Sequence, residues 1–140
     1  MGNELIALRD AIGVQLQAIR ERAPQVVVQF RDRLFERVQA LLGELDVKLD
    51  RNDVIKEVSI FAERSDIAEE TVRLASHLEQ FQGFVGEKES AGRKLEFLTQ
   101  EMFREANTIG AKANDVAIAR ASVAIKEEIE RLREQLENVE

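Results

Sequence analysis

Long amphipathic helices, packed as a helical hairpin or bundle with coiled-coil-like seams, are the fold this sequence predicts: an all-α single domain over residues 1–140. Three observations carry that prediction. Apolar residues recur at the helical period almost from end to end. Gly and Pro number only 7 and 1. Charged residues make up 34% of the chain against 5% aromatic, the balance of solvated helix surface rather than of a turn-rich sheet. A chain of 140 residues has room for one core and not for two.

The first element follows from Leu5, Leu8, Ile12, Leu16, Ile19, Ala23, Val26, Phe30, Leu34, Val38, Leu41 and Leu45, which advance 40 residues in 11 steps, close to the helical repeat. One helical pattern therefore covers 1–45. Pro24 lies in its middle, where it either kinks the helix or opens a second one as a first-turn residue. The apolar phase survives the proline, so a kinked helix or a closely abutted pair is expected. Gly43 and the polar run 46–53 end the segment, with Asn52 or Asp53 as the cap of the next helix.

Over 53–85 the pattern is helical again, and Ile60, Ile67, Leu74 and Phe81 recur at steps of seven, a seam that needs a partner helix. The glycine-bearing stretch 83–92 reads as a hairpin loop, with Ser90 capping a helix over 91–113 whose apolar face is Leu95, Leu98, Met102, Ala106, Ile109 and Ala113. Gly110 and the pair Asn114-Asp115 mark an interruption. Ile118, Ile125, Leu132 and Val139, with Ile129 and Leu136 between them, give 115–140 a coiled-coil-like stripe. That stripe and the apolar face of 1–45 together exceed what one small bundle covers, so a homo-oligomer is expected.

Composition narrows the function. With no cysteine there is no disulfide framework, zinc-thiolate site or thiol nucleophile. No apolar run approaches the ~20 residues of a membrane helix and no signal-peptide pattern opens the chain, so a cytoplasmic protein without membrane association is expected. The net charge of -7 argues against a surface that attracts nucleic acid everywhere, but not against a local patch. Arg20, Arg22, Arg31, Arg33 and Arg37 crowd one stretch; interleaved with Glu21, Asp32 and Glu36, they also fit an ordinary solvated helix face. No Ser-His-Asp set, glycine-rich phosphate loop or base-stacking platform is visible, so with one histidine any catalysis rests on carboxylates, a metal or His77.

The chemistry-bearing residues gather at two helix edges. At 100° per residue, Asp66, Glu70, Arg73 and His77 fall in a band about 60° wide beside the apolar face of 53–85. On 91–113, Lys94, Glu101, Glu105, Thr108, Lys112 and, at the margin, Arg104 line a corresponding edge. In an antiparallel hairpin the two edges converge into a polar pocket, and carboxylates with an imidazole on facing helices are what a bundle uses to hold a divalent cation. The same pattern also describes an ion-pair ladder with a structural histidine.

Residues 66–77, reading Asp-Ile-Ala-Glu-Glu-Thr-Val-Arg-Leu-Ala-Ser-His and followed by Phe81, resemble a signature of the YicC-type bacterial endoribonuclease family. So do Gly92-Arg93-Lys94-Leu95-Glu96-Phe97-Leu98, Gln100-Glu101-Met102, Arg104-Glu105 and Asn107-Thr108-Ile109-Gly110-Ala111-Lys112. The ending, with Lys126, Arg133-Glu134-Gln135 and Asn138, is similar too. Glu96, Phe103 and Ala111 depart from the family pattern, and Phe103 replaces a side chain that is often Asn. The resemblance is dense from Glu57 to Glu140 and weaker before it. It implies an endoribonuclease dependent on a divalent metal, Mn²⁺ or Mg²⁺, in a ring-like oligomer that holds RNA, with an N-terminal domain that this chain lacks. By resemblance Glu70, His77, Glu101 and Glu105 take the metal role, His77 and Glu105 the catalytic role, and Arg73, Arg93, Lys94, Arg104 and Lys112 the RNA phosphates. Whether His77 is a ligand, a proton shuttle or a base acting without metal is left open. The alternative from another class is a non-catalytic helical scaffold or oligomerisation domain whose polar stripe is a structural ion-pair network.

Overall fold

The computed structural model describes residues 2–45, 48, 50–87 and 91–139, and within them five helices: α1 (Gly2–Leu45), α2 (Arg51–Ser65), α3 (Ala68–Val85), α4 (Ala91–Lys112) and α5 (Val116–Val139). The all-α expectation holds. α1 runs unbroken through Pro24, so the proline does not split the element. The expected cap of 91–113, Ser90, lies outside the described residues.

The stretch 53–85 forms two helices instead of one, and α2 is capped by Asp50, whose side chain accepts from the Asn52 N–H at 2.9 Å, rather than by Asn52 or Asp53. The break falls at Asp66-Ile67. Asp66 turns extended and its carboxylate accepts the Ala68 N–H at 2.9 Å, which stops α2 and starts α3. The seam of sevens nonetheless survives: Ile67, Leu74 and Phe81 are all buried and Ile60 is partly buried. It survives because α2 and α3 run in the same direction along α1, both antiparallel to it. Phe30 stacks on Phe61 from α2, while Arg9 and Arg20 donate to the backbone oxygens of Leu78 and Thr71 on α3.

α3, α4 and α5 then alternate in direction, so the first half of α1 with α3, α4 and α5 makes an up-and-down bundle. α1 packs on α3 and α5, and α4 on the same two. The core is the predicted set: Leu5, Ile12, Leu16, Ile19 and Val26 from α1 meet Leu98, Met102 and Ile109 from α4 and Ile118, Ile125, Ile129 and Leu132 from α5. Burial of this stripe supplies the main driving force, at roughly 1.5 to 3 kcal/mol per fully buried aliphatic side chain.

With 44 residues α1 is about 66 Å long, nearly twice the length of α5, so its second half leaves the bundle and packs against α2. Burial falls accordingly, and Leu41 and Leu45 are exposed.

Two local features fix the α4–α5 turn. Asn114 adopts φ 51°, the left-handed conformation that ends a helix and that asparagine tolerates. Gly110 lets α5 come close: a Cβ there would stand 2.7 Å from Ser122 Oγ, which itself donates to the Ala106 carbonyl inside the core.

Candidate functional site

The two polar edges read from the sequence meet along the α3–α4 hairpin. Lys112 Nζ donates to Glu70 Oε2 at 2.9 Å, and Arg73 Nε donates to Glu105 Oε1 at 2.9 Å. Arg73 Nη1 reaches back to Glu69 Oε2 at 3.4 Å. At the far end Lys94 lies 4.8 Å above the Phe84 ring and 3.6 Å from Glu87 Oε2. These contacts set an antiparallel register that brings His77 level with Glu101.

Burial separates the partners. The Glu70 and Glu105 side chains are 5% and 6% exposed, whereas Lys112 and Arg73 keep 38% and 48% exposure and hold the charge at the rim. A buried carboxylate is costly without a partner, so each cation answers a desolvation penalty that the fold creates. The hydrogen bond to Glu105, opposed by partial burial, holds the Arg73 guanidinium above its ordinary value. Arg73 leaves Nη2 with no partner among the described residues. His77 makes no side-chain hydrogen bond there either, and its Nδ1 is buried. An unsatisfied buried nitrogen costs about 1 to 3 kcal/mol, which makes it a feature that packing alone does not explain.

Of the residues expected to contact phosphate, Arg93 and Arg104 are exposed on α4, Lys94 is half exposed, and Arg73 and Lys112 are committed to carboxylates. Asp66 serves as the helix-breaking cap, and the Thr108 hydroxyl donates to the Arg104 carbonyl. The expected metal ligands are only partly brought together. Among the described residues no group of three or more His, Asp or Glu side chains is placed to hold a metal ion, and Glu70 and Glu105 each already face a cation. Either glutamate would have to exchange its Lys or Arg partner before it could hold a divalent ion.

A second cluster, not foreseen in its connections, joins α1 to the start of α5. Arg22 grips Asp115 with two hydrogen bonds, Nε to Oδ2 at 3.2 Å and Nη2 to Oδ1 at 2.9 Å. Asp115 Oδ2 also accepts the Ile118 N–H at 3.0 Å, capping α5. The Arg22 hydrogen bond, which outweighs the effect of burial, together with the backbone N–H groups of Ile118 and Ala117 holds the Asp115 carboxyl below its ordinary range. The two residues stand 93 positions apart, so no helical wheel relates them.

With this geometry in hand, comparison with known proteins is specific. The family model described as "Endoribonuclease YicC-like, C-terminal" matches residues 19–140. A probable endoribonuclease YicC of Clostridioides difficile (strain 630) is 40% identical over 138 residues, 98% of this chain and 47% of the relative. A protein of the same description from Haemophilus influenzae is 34% identical over 139 residues, 99% of this chain and 47% of its own length. The chain thus spans about half the length of the relatives it matches.

Proposed function

This chain belongs to the YicC-like endoribonuclease family, by its C-terminal region, and from that membership we propose that it is the helical part of an enzyme that binds RNA and cleaves its phosphodiester bonds. The observation that carries the reading is the pairing, on one hairpin, of an imidazole with no hydrogen-bond partner among the described residues and an arginine held in place by a buried glutamate.

RNA carries its own nucleophile, the 2′-hydroxyl. Its oxygen bonds to phosphorus as the bond from phosphorus to the 5′-oxygen breaks: a positioned imidazole takes the hydroxyl proton, a guanidinium meets the charge developing on the phosphoryl oxygens, and the departing 5′-oxygen takes a proton from water. On this reading His77 moves the proton through Nε2, since Nδ1 is buried, Arg73 presents to the phosphate the Nη2 that has no partner among the described residues, and Glu105 positions Arg73. Arg93, Lys94 and Arg104 along the exposed face of α4 guide the strand. The other half of the relatives' length supplies the remaining surface of the enzyme, and the protein works in the bacterial cytoplasm. Assembly into a homo-oligomer is supported by Val28, Phe35, Leu41, Leu45 and Ile55, apolar residues left exposed on α1 and α2.

One observation favours a second reading, the non-catalytic scaffold: both buried glutamates are already closed by ion pairs. Salt separates the two. RNA binding through Arg and Lys releases counterions, so affinity falls steeply between low and high salt. Arg93→Ala with Arg104→Ala weakens binding to unrelated sequences alike. RNA affinity that ignores both salt and these substitutions supports the scaffold.

A further inference from the structure

The arginine-rich stretch of α1 finds a use on the opposite side of the bundle from the α3–α4 hairpin. Where α1 leaves the bundle, a cleft of about 660 Å³ opens between α1, α2 and the turn into α5. That volume lies within the roughly 300 to 1,000 Å³ of small-molecule sites. Its charged lining is Arg22, Arg33, Arg120 and Asp115, a net charge of +2 in a chain of -7. Phe30 and Phe61, stacked in parallel with centroids 3.9 Å apart, form part of its apolar wall.

The three arginines are not equivalent. Arg22 is consumed by Asp115, Gln25 and Gln29 and shapes the cleft floor. Among the described residues exposed Arg33 has Gln29 as its one partner, at 3.2 Å, and exposed Arg120 makes no side-chain hydrogen bond or ion pair. The start of α5 offers no anion site of its own, since Asp115 already caps it. Two guanidinium groups without an acidic partner among the described residues, beside an aromatic wall in an otherwise acidic protein, are the complement of a phosphate joined to a flat ring.

We propose that this cleft binds one nucleotide unit of single-stranded RNA, the phosphate on Arg33 and Arg120 and the base against the Phe30–Phe61 wall. The choice of RNA rests on the endoribonuclease reading; the chemistry of the cleft does not. Neither His77 nor Arg73 lines the cleft, so it holds the strand rather than cutting it. A long substrate therefore gains affinity from it.

The test is fluorescence anisotropy of a labelled single-stranded oligoribonucleotide with the unsubstituted protein and with Arg33→Ala/Arg120→Ala. Both arginines are exposed, and circular dichroism with thermal melting checks the fold. The double variant is expected to bind about tenfold or more weakly, with the salt dependence shallower by about one counterion per arginine removed. Arg33→Lys/Arg120→Lys keeps the charge and recovers part of the affinity, and Phe61→Leu weakens binding with no change in salt dependence. Unchanged affinity in the double alanine variant overturns the proposal, as does competition by inorganic phosphate as effective as that by a mononucleotide. Cleavage assayed in parallel, with the longest form of the protein, keeps the two readings apart: intact cleavage with unchanged affinity sinks the cleft alone, while arginine-dependent binding without any cleavage by that form sinks the endoribonuclease reading alone.

Discussion

Arg73 Nε stands 2.9 Å from Glu105 Oε1, an arginine half in water joined to a glutamate almost fully out of it, and this bond ties α3 to α4. If Glu105 positions Arg73, the two are energetically coupled. Arg73→Ala is expected to lower the melting temperature by several degrees, because it strands a buried carboxylate. Glu105→Gln in the same background returns much of that loss, and Arg73→Lys returns less, lacking the Nε donor. A double-mutant cycle by thermal denaturation reads the coupling; strictly additive effects would contradict it.

Asp115 gives the protein an acid limit. Folding lowers the pKa of this carboxyl below its ordinary 3.8, so the unfolded state holds the proton more tightly. The stability contributed is complete above that ordinary value and is lost as pH falls through the lower folded value. Melting temperatures from pH 6 down to pH 2.5 are expected to fall less steeply below about pH 4 in Asp115→Asn than in the unsubstituted protein. Equal slopes would show that Arg22 and the α5 backbone do not hold this charge.

Gly110→Ala tests the approach of α4 and α5. On helix propensity alone the change stabilises by about 1 kcal/mol. Here a Cβ would meet Ser122 Oγ at 2.7 Å, and that hydroxyl is pinned to the Ala106 carbonyl, so net destabilisation is expected. Ser122→Ala in the same chain recovers part of the loss by removing the oxygen. A more stable Gly110→Ala would mean that the helices part at little cost.

These residues also show what the sequence reveals and what it hides. The apolar period locates α1, α4, α5 and nearly all of the core, because burial obeys the helical repeat whatever the partner. It misses the break at Asp66, since α2 and α3 both lie along α1 and the seam of sevens passes through the gap. The wheel puts Glu70, Arg73, Glu105 and Lys112 on facing edges. It does not say which cation meets which carboxylate, because that depends on the register between the helices. The Arg22–Asp115 grip and the cleft beside it depend on a turn that folds back on α1, and no local pattern encodes the meeting.

The pairing also bears on the expected divalent ion. Glu70 and Glu105 are engaged by Lys112 and Arg73, so millimolar Mn²⁺ or Mg²⁺ is expected to shift the melting temperature of the folded chain by less than about 1 °C. A rise of several degrees, abolished by Glu105→Gln, would mean that the carboxylates exchange their cations for the metal.

The most direct measurement is the rate at which His77→Ala cuts a defined RNA, beside the unsubstituted protein, in the longest form that is active. Circular dichroism and oligomer size serve as controls for folding. A folded His77→Ala protein is expected to bind RNA with near-normal affinity and to lose cleavage by about 100-fold or more, the usual scale for a missing general base. A folded variant that cuts at the normal rate would return His77, and with it the hairpin site, to a purely structural role.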